Sequence, residues 1–143
     1  MNINIFMFEI TEAMKLLSDK SRLRILMLLK GRELCVCQIM GVLGMSQPLV
    51  SRNLSLLSKA GFLDDRREGK MIFYTVRKSP ERLQRLLLGV VADALSKDPA
   101  VSEDERSLGE CREFQKRTGK CGMETYLAYM EKRAAKARKM PRR

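Results

Sequence analysis

The tightest constraint on this chain is the punctuation between Leu34 and Val76. Leu34, Ile39, Val42 and Leu43 recur at helical spacing and stop at Gly44. Almost at once Ser46 can cap another helix, with Pro48 tolerated in its first turn, and that helix ends at Gly61. Two helices separated by about three residues with a glycine in the turn form a helix-turn-helix pattern. Directly downstream, Phe62 to Arg67 and Met71 to Val76 flank Glu68-Gly69-Lys70. Aromatic and β-branched residues in the second run favour strand, and Gly69 supplies the positive φ of a tight hairpin. The expected fold is therefore mainly α with a β-hairpin wing, a winged helix-turn-helix.

The flanking segments imply a partner. Ile10, Met14 and Leu17 share a helical face, and Ile3, Ile5, Phe6 and Phe8 make the stretch before them more apolar than a free terminus tolerates. Ser18 or Asp19 can cap a helix through Leu23, Leu26, Met27 and Leu29 that stops at Gly31. Pro80 opens a helix with Leu83, Leu86, Leu87, Val90, Val91 and Ala94, closed near Pro99. Its apolar residues cover more than a narrow stripe, so it is expected to pack both on its own domain and on a second subunit. Beyond Asp98 the composition shifts to Glu103, Asp104 and Glu105, and a last amphipathic helix is expected from Met123 to Ala137. Residues 1–98 are read as a DNA-binding and dimerisation domain, and 99–143 as an extension with a basic helical tail. At 143 residues the chain is too short for a barrel enzyme or a two-domain dinucleotide fold. It has neither a basic start before its first apolar residues nor an apolar run near the ~20 residues of a membrane span, which implies a cytoplasmic chain with reduced thiols.

Charge distribution suggests the partner's chemistry. The net charge is +11, with +4 between residues 46 and 79 and +7 in residues 132–143. Such a balance suits a polyanion. On a helical wheel Leu49, Val50, Leu54, Leu56, Leu57 and Ala60 share one arc, while Gln47, Ser51, Arg52, Ser55, Ser58 and Lys59 share the other. A face of short hydroxyls, an amide and a guanidinium without an acid suits the major groove of double-stranded DNA. Ser46, Gln47, Ser51, Arg52 and Ser55 are the candidate readers, and Arg66, Arg67 and Lys70 on the hairpin are candidate phosphate contacts. Asn53 falls inside the apolar arc, where a polar amide is unexpected.

Four cysteines stand at 35, 37, 111 and 121, and histidine is absent. No imidazole site, zinc-histidine site or histidine-based triad can be built, and metal chemistry must run on sulfur and oxygen. Nothing near the cysteines looks like a catalytic base, so the chain is not expected to be an enzyme. Two thiols separated by one residue, Cys35 and Cys37, outweigh simple core packing. At the start of an unbroken helix they would diverge by roughly 200°, so joint coordination would open the first turn. Backbone N–H groups there would favour thiolate. The donor type suits thiophilic ions: trivalent arsenic or antimony, cadmium, lead, mercury or copper(I).

Glu33 to Gln38, Ser46 to Leu57, Ala60-Gly61-Phe62-Leu63 and Gly69 to Tyr74 together resemble the ArsR/SmtB metalloregulatory repressors, over residues 10–95. The resemblance implies a winged-helix homodimer that binds an inverted-repeat operator and leaves it when metal binds. It also implies a dimer interface built from the first helix and the helix after the wing. Glu33-Leu34-Cys35-Val36-Cys37 is similar to the thiolate site of the family's arsenic-sensing and cadmium/lead-sensing members. The best-known arsenic sensors carry a third cysteine where this chain has Met40, which is read as core. Cys111 or Cys121, from the same or the partner subunit, becomes the candidate third thiolate for arsenic(III) or antimony(III). The alternatives are a cadmium/lead-type sensor, although this chain lacks the N-terminal arm cysteines of those members, and a redox regulator in which Cys35 and Cys37 form a disulfide.

Overall fold

Three helices of this chain start at a side-chain cap, at Asp19, Ser46 and Asp98. Asp19 is extended and its carboxylate accepts the Arg22 N–H at 3.1 Å, launching the second helix. Ser46 accepts from Leu49 N–H at 3.4 Å and launches the fourth, while Gly44 at φ 67° ends the third in the left-handed conformation glycine permits. The computed structural model describes residues 5–119 and 123–139. In chain order the elements are α1 (Ile5–Leu17), α2 (Lys20–Leu28), β1 (Leu34–Cys35), α3 (Val36–Leu43), α4 (Gln47–Lys59), β2 (Leu63–Glu68), β3 (Met71–Val76), α5 (Arg82–Leu95), α6 (Pro99–Thr118) and α7 (Met123–Lys139).

The sheet is antiparallel in the order β1-β3-β2. Register Leu63↔Val76 through Glu68↔Met71 leaves Gly69 and Lys70 as a two-residue hairpin loop, with Gly69 at φ 61°. The core lies between α2, α3, α4 and the base of the wing, where Ile25, Leu29, Leu34, Ile39, Leu54 and Phe62 are fully buried. Met40 is buried among them, as core. The wing is tied to this core by backbone bonds, with Val76 N–H donating to the Leu29 carbonyl at 3.1 Å and Arg77 N–H to that of Phe62 at 3.0 Å.

Three expectations need correction. The third helix does not begin near Glu33: Leu34 and Cys35 instead pair with Tyr74 and Phe73 of β3, and both side chains are buried. Pro99 does not merely close the preceding helix. That helix ends at Leu95, and Pro99 occupies the first turn of α6, capped by Asp98 accepting from Ala100 N–H at 2.8 Å. The last helix runs two residues past Ala137, to Lys139.

The whole of α6 was unexpected from sequence. Its buried stripe is Asp104, Ser107, Leu108 and Cys111, helically spaced but mostly polar in type. Asp104 meets Arg24 of α2 in a two-pronged ion pair at 2.8 and 3.0 Å, and Glu105 meets Arg32 at 2.7 Å. Helix α7 then lays Tyr129 against Phe114, ring centres 5.7 Å apart, and Arg133 donates to the carbonyls of Gly41 and Val42 at the end of α3. Among the described residues no helix is long and apolar enough to cross a membrane.

Candidate functional site

Val50, Asn53, Leu54 and Leu57 hold α4 against the core, which turns Gln47, Ser51, Arg52, Ser55 and Lys59 outward along one exposed face. The hydroxyl of Ser46 is engaged as the N-cap of that helix. Two positions differ from the wheel reading: Leu49 is exposed, and Ser58 is half-buried with its hydroxyl enclosed. The amide oxygen of Asn53 has an account in the tertiary structure, while its enclosed Nδ2 has no hydrogen-bond partner among the described residues. Its Oδ1 accepts from Arg22 Nε at 3.1 Å, and the same guanidinium donates to the Leu16 carbonyl at 3.0 Å. One arginine of α2 thus ties α4 to the end of α1.

On the wing, Arg67 and Lys70 are exposed. Arg66, expected to contact phosphate, is otherwise occupied: it donates to Glu33 at 2.7 Å and to Glu68 at 2.9 Å, and its guanidinium lies 4.8 Å from the Phe73 ring centre. These contacts hold Glu33 well below the usual carboxylate range and raise Arg66 further. Arg66 therefore clamps the wing to the segment leading into Cys35.

The thiols gather where α3 meets α6. Cys35 sits in extended backbone, φ −85° and ψ 167°, with its N–H donating to Gln38 Oε1 at 3.0 Å, and Cys37 lies one residue into α3. Cys35 is thus the N-cap and Cys37 lies in the first turn, so the pair does not share the unbroken helix from which the divergence was reckoned. Cys37 and Cys111 line a single crevice of about 10 Å³, roughly the room of one water molecule, walled by Gly41, Phe114, Tyr126 and Tyr129. Gln38 Nε2 donates to Gln115 Oε1 at 3.0 Å across the same seam. Among the described residues no three His, Cys, Asp or Glu side chains already converge as metal ligands, so the sulfurs must draw together to share an ion. Cys121 lies outside the described residues.

Thiolate stabilisation at the helix start is outweighed by burial. Desolvation pushes Cys37 up, with the neighbouring Cys35 adding to the rise and a backbone hydrogen bond offsetting less of it. Burial pushes Cys111 up to about 11, and Cys35 is again the next cause. Because a raised pKa keeps Cys111 protonated below about 11, its alkylation by iodoacetamide is expected to be slow at neutral pH and to climb as pH rises toward that value. Mass spectrometry of the modified peptide measures this, and rapid neutral-pH labelling contradicts it.

The profile described as bacterial regulatory protein, arsR family, matches residues 19–65, the span from the α2 cap into the wing. A helix-turn-helix-type transcriptional regulator of Mycobacterium tuberculosis, KmtR, is 30% identical over 100 residues, covering 70% of this chain and 75% of the relative. This chain belongs to the ArsR family. Other ArsR-family relatives carry different ions in their names. The arsenic resistance transcriptional regulator ArsR1 of Pseudomonas putida is 40% identical over 79 residues, 54% of this chain and 62% of the relative. The cadmium resistance transcriptional regulatory protein CadC of Listeria innocua is 38% identical over 77 residues, 53% and 64%. The chain thus spans less than two thirds of either protein. Among solved structures, a homodimeric winged helix-turn-helix DNA-binding domain from Mycobacterium bovis shares the fold, with TM-score 0.56 and 25% identity over 69% of this chain and 90% of that one.

Proposed function

We propose that this ArsR-family chain is a homodimeric repressor that holds operator DNA until arsenite or antimonite binds its thiols. The observation that carries the reading is the seam between α3 and α6, where Cys37 and Cys111 face one crevice and Cys35 caps the start of α3. Arsenite suits protonated sulfur: three thiols and As(OH)₃ form three As–S bonds, and each hydroxide leaves as water with a thiol proton. Cys35 and Cys37 are joined to α3, and α3 packs against α4. Drawing them toward Cys111 moves the support on which the reading face rests. Coupling of ~1–3 kcal/mol suffices for a useful switch.

Gln47, Ser51, Arg52 and Ser55 are assigned to base edges, and Arg67 and Lys70 to phosphates. Dimerisation is assigned to α1 and α5, which expose Phe6, Met7, Phe8, Leu86 and Val90. The homodimeric Mycobacterium bovis neighbour supports that assignment. The test is fluorescence anisotropy on a duplex selected from random DNA, titrated with arsenite: affinity falls if the proposal holds, and unchanged affinity at saturation overturns it. On the same duplex, Arg52→Ala is expected to cost about 1–3 kcal/mol and to broaden sequence choice. Lys70→Ala should instead weaken all sequences alike and make the salt slope shallower by about one.

A further inference from the structure

We infer that the C-terminal half of α7 is a second DNA-backbone contact, placed beside the helix-turn-helix by its docking on α3; this rests on the DNA-binding reading above. The direction of α7 follows from its contacts with α6. Lys132 lies 5.4 Å from the Phe114 ring centre, whereas Lys136 approaches Glu110 at 3.7 Å. The two helices are therefore antiparallel. Helix α6 is in turn antiparallel to α3, since Gln115 meets Gln38 near the start of α3 while Arg24 joins Asp104 to the Leu43 carbonyl at its end. Helix α7 consequently runs the same way as α3, toward the turn at Gly44 that launches α4. Arg133 secures this by donating to Gly41 and Val42 at 2.8 and 3.2 Å.

Past that anchor, Lys136, Arg138 and Lys139 are exposed. Arg138 Nε donates only weakly to the Ala134 carbonyl of its own helix, at 3.4 Å, and the Lys136 pair with Glu110 is loose and solvent-facing. Such cations can exchange their contacts for phosphates. The start of α4 enters the groove, so a basic helix end aimed at that start meets the backbone flanking the site rather than the bases.

The test compares the full-length protein with K136A/R138A/K139A on the selected duplex from 50 to 300 mM salt. The expected result is a salt slope shallower by about two to three, an unchanged preference for that duplex over random DNA, and an unchanged unfolding midpoint. An unchanged slope overturns the inference. So does a variant that loses binding to vesicles with 30% phosphatidylserine while keeping its DNA slope, which assigns the surface to a membrane. If the parent itself shows no preference for any duplex, the repressor reading fails instead, and that outcome is distinct from a slope that the substitutions do not move.

Discussion

Cys111→Ala is expected to bind operator like the parent but to stay bound at arsenite concentrations that release the parent completely. Trivalent arsenic takes three sulfurs, and removing one leaves a two-thiol site with a labile third position. Cys37→Ser should act in the same way, whereas Cys121→Ala should still release if the third thiol is Cys111. Parallel absorbance titrations of each variant with arsenite, read in the ultraviolet where thiolate-to-arsenic transitions lie, count the sulfurs bound. Full release by Cys111→Ala together with loss of release by Cys121→Ala would move the third ligand to Cys121.

Asp104→Ala should lower stability by about 3 kcal/mol, the effect of leaving one partner of a buried pair uncompensated. Asp104 is nearly enclosed, its side chain 6% exposed against 33% for Arg24, so the stranded arginine regains only part of its hydration. The Arg24 pKa is raised chiefly by the Asp104 hydrogen bond, which favours the charged guanidinium. Urea unfolding measures the loss, and a midpoint within error of the parent would contradict it. Arg24→Met combined with Asp104→Leu is expected to recover most of the stability, because an apolar pair of similar volume removes the desolvation cost as well as the attraction. The single variant carries a functional consequence too. Since this pair fixes α6 on α2, loosening it withdraws Cys111 from Cys37, and the response to arsenite should weaken before operator affinity does.

The winged helix was legible because its signals are local. Gly44, Ser46, Pro48, Gly61 and Gly69 act on their immediate neighbours, and period-3.6 and period-2 patterns report which faces are buried whatever covers them. Cys35 and Cys37 stood out by spacing alone. By contrast, α6 was hidden because its inward stripe is built from Asp104, Ser107 and Cys111, residues that read as surface until Arg24 and α3 are placed opposite them. Asn53 likewise reads as a misplaced polar group until Arg22 reaches it. Arg66 needed the fold in another way: a basic residue on a basic hairpin suggests phosphate, and only the folded chain brings Glu33, just ahead of β1, against its guanidinium.

Local signals are enough for two short helices, a turn and a hairpin, an acid-free polar helix face, and sulfur in place of imidazole. These follow from backbone preferences and side-chain chemistry acting over a few residues. Folding alone sets which distant groups meet: Cys111 with Cys37, Arg133 with the end of α3, and Cys35 with a strand rather than a helix. Such pairings depend on ladder hydrogen bonds and on burial between segments up to about ninety positions apart, as between Gly41 and Arg133, and no local pattern encodes them.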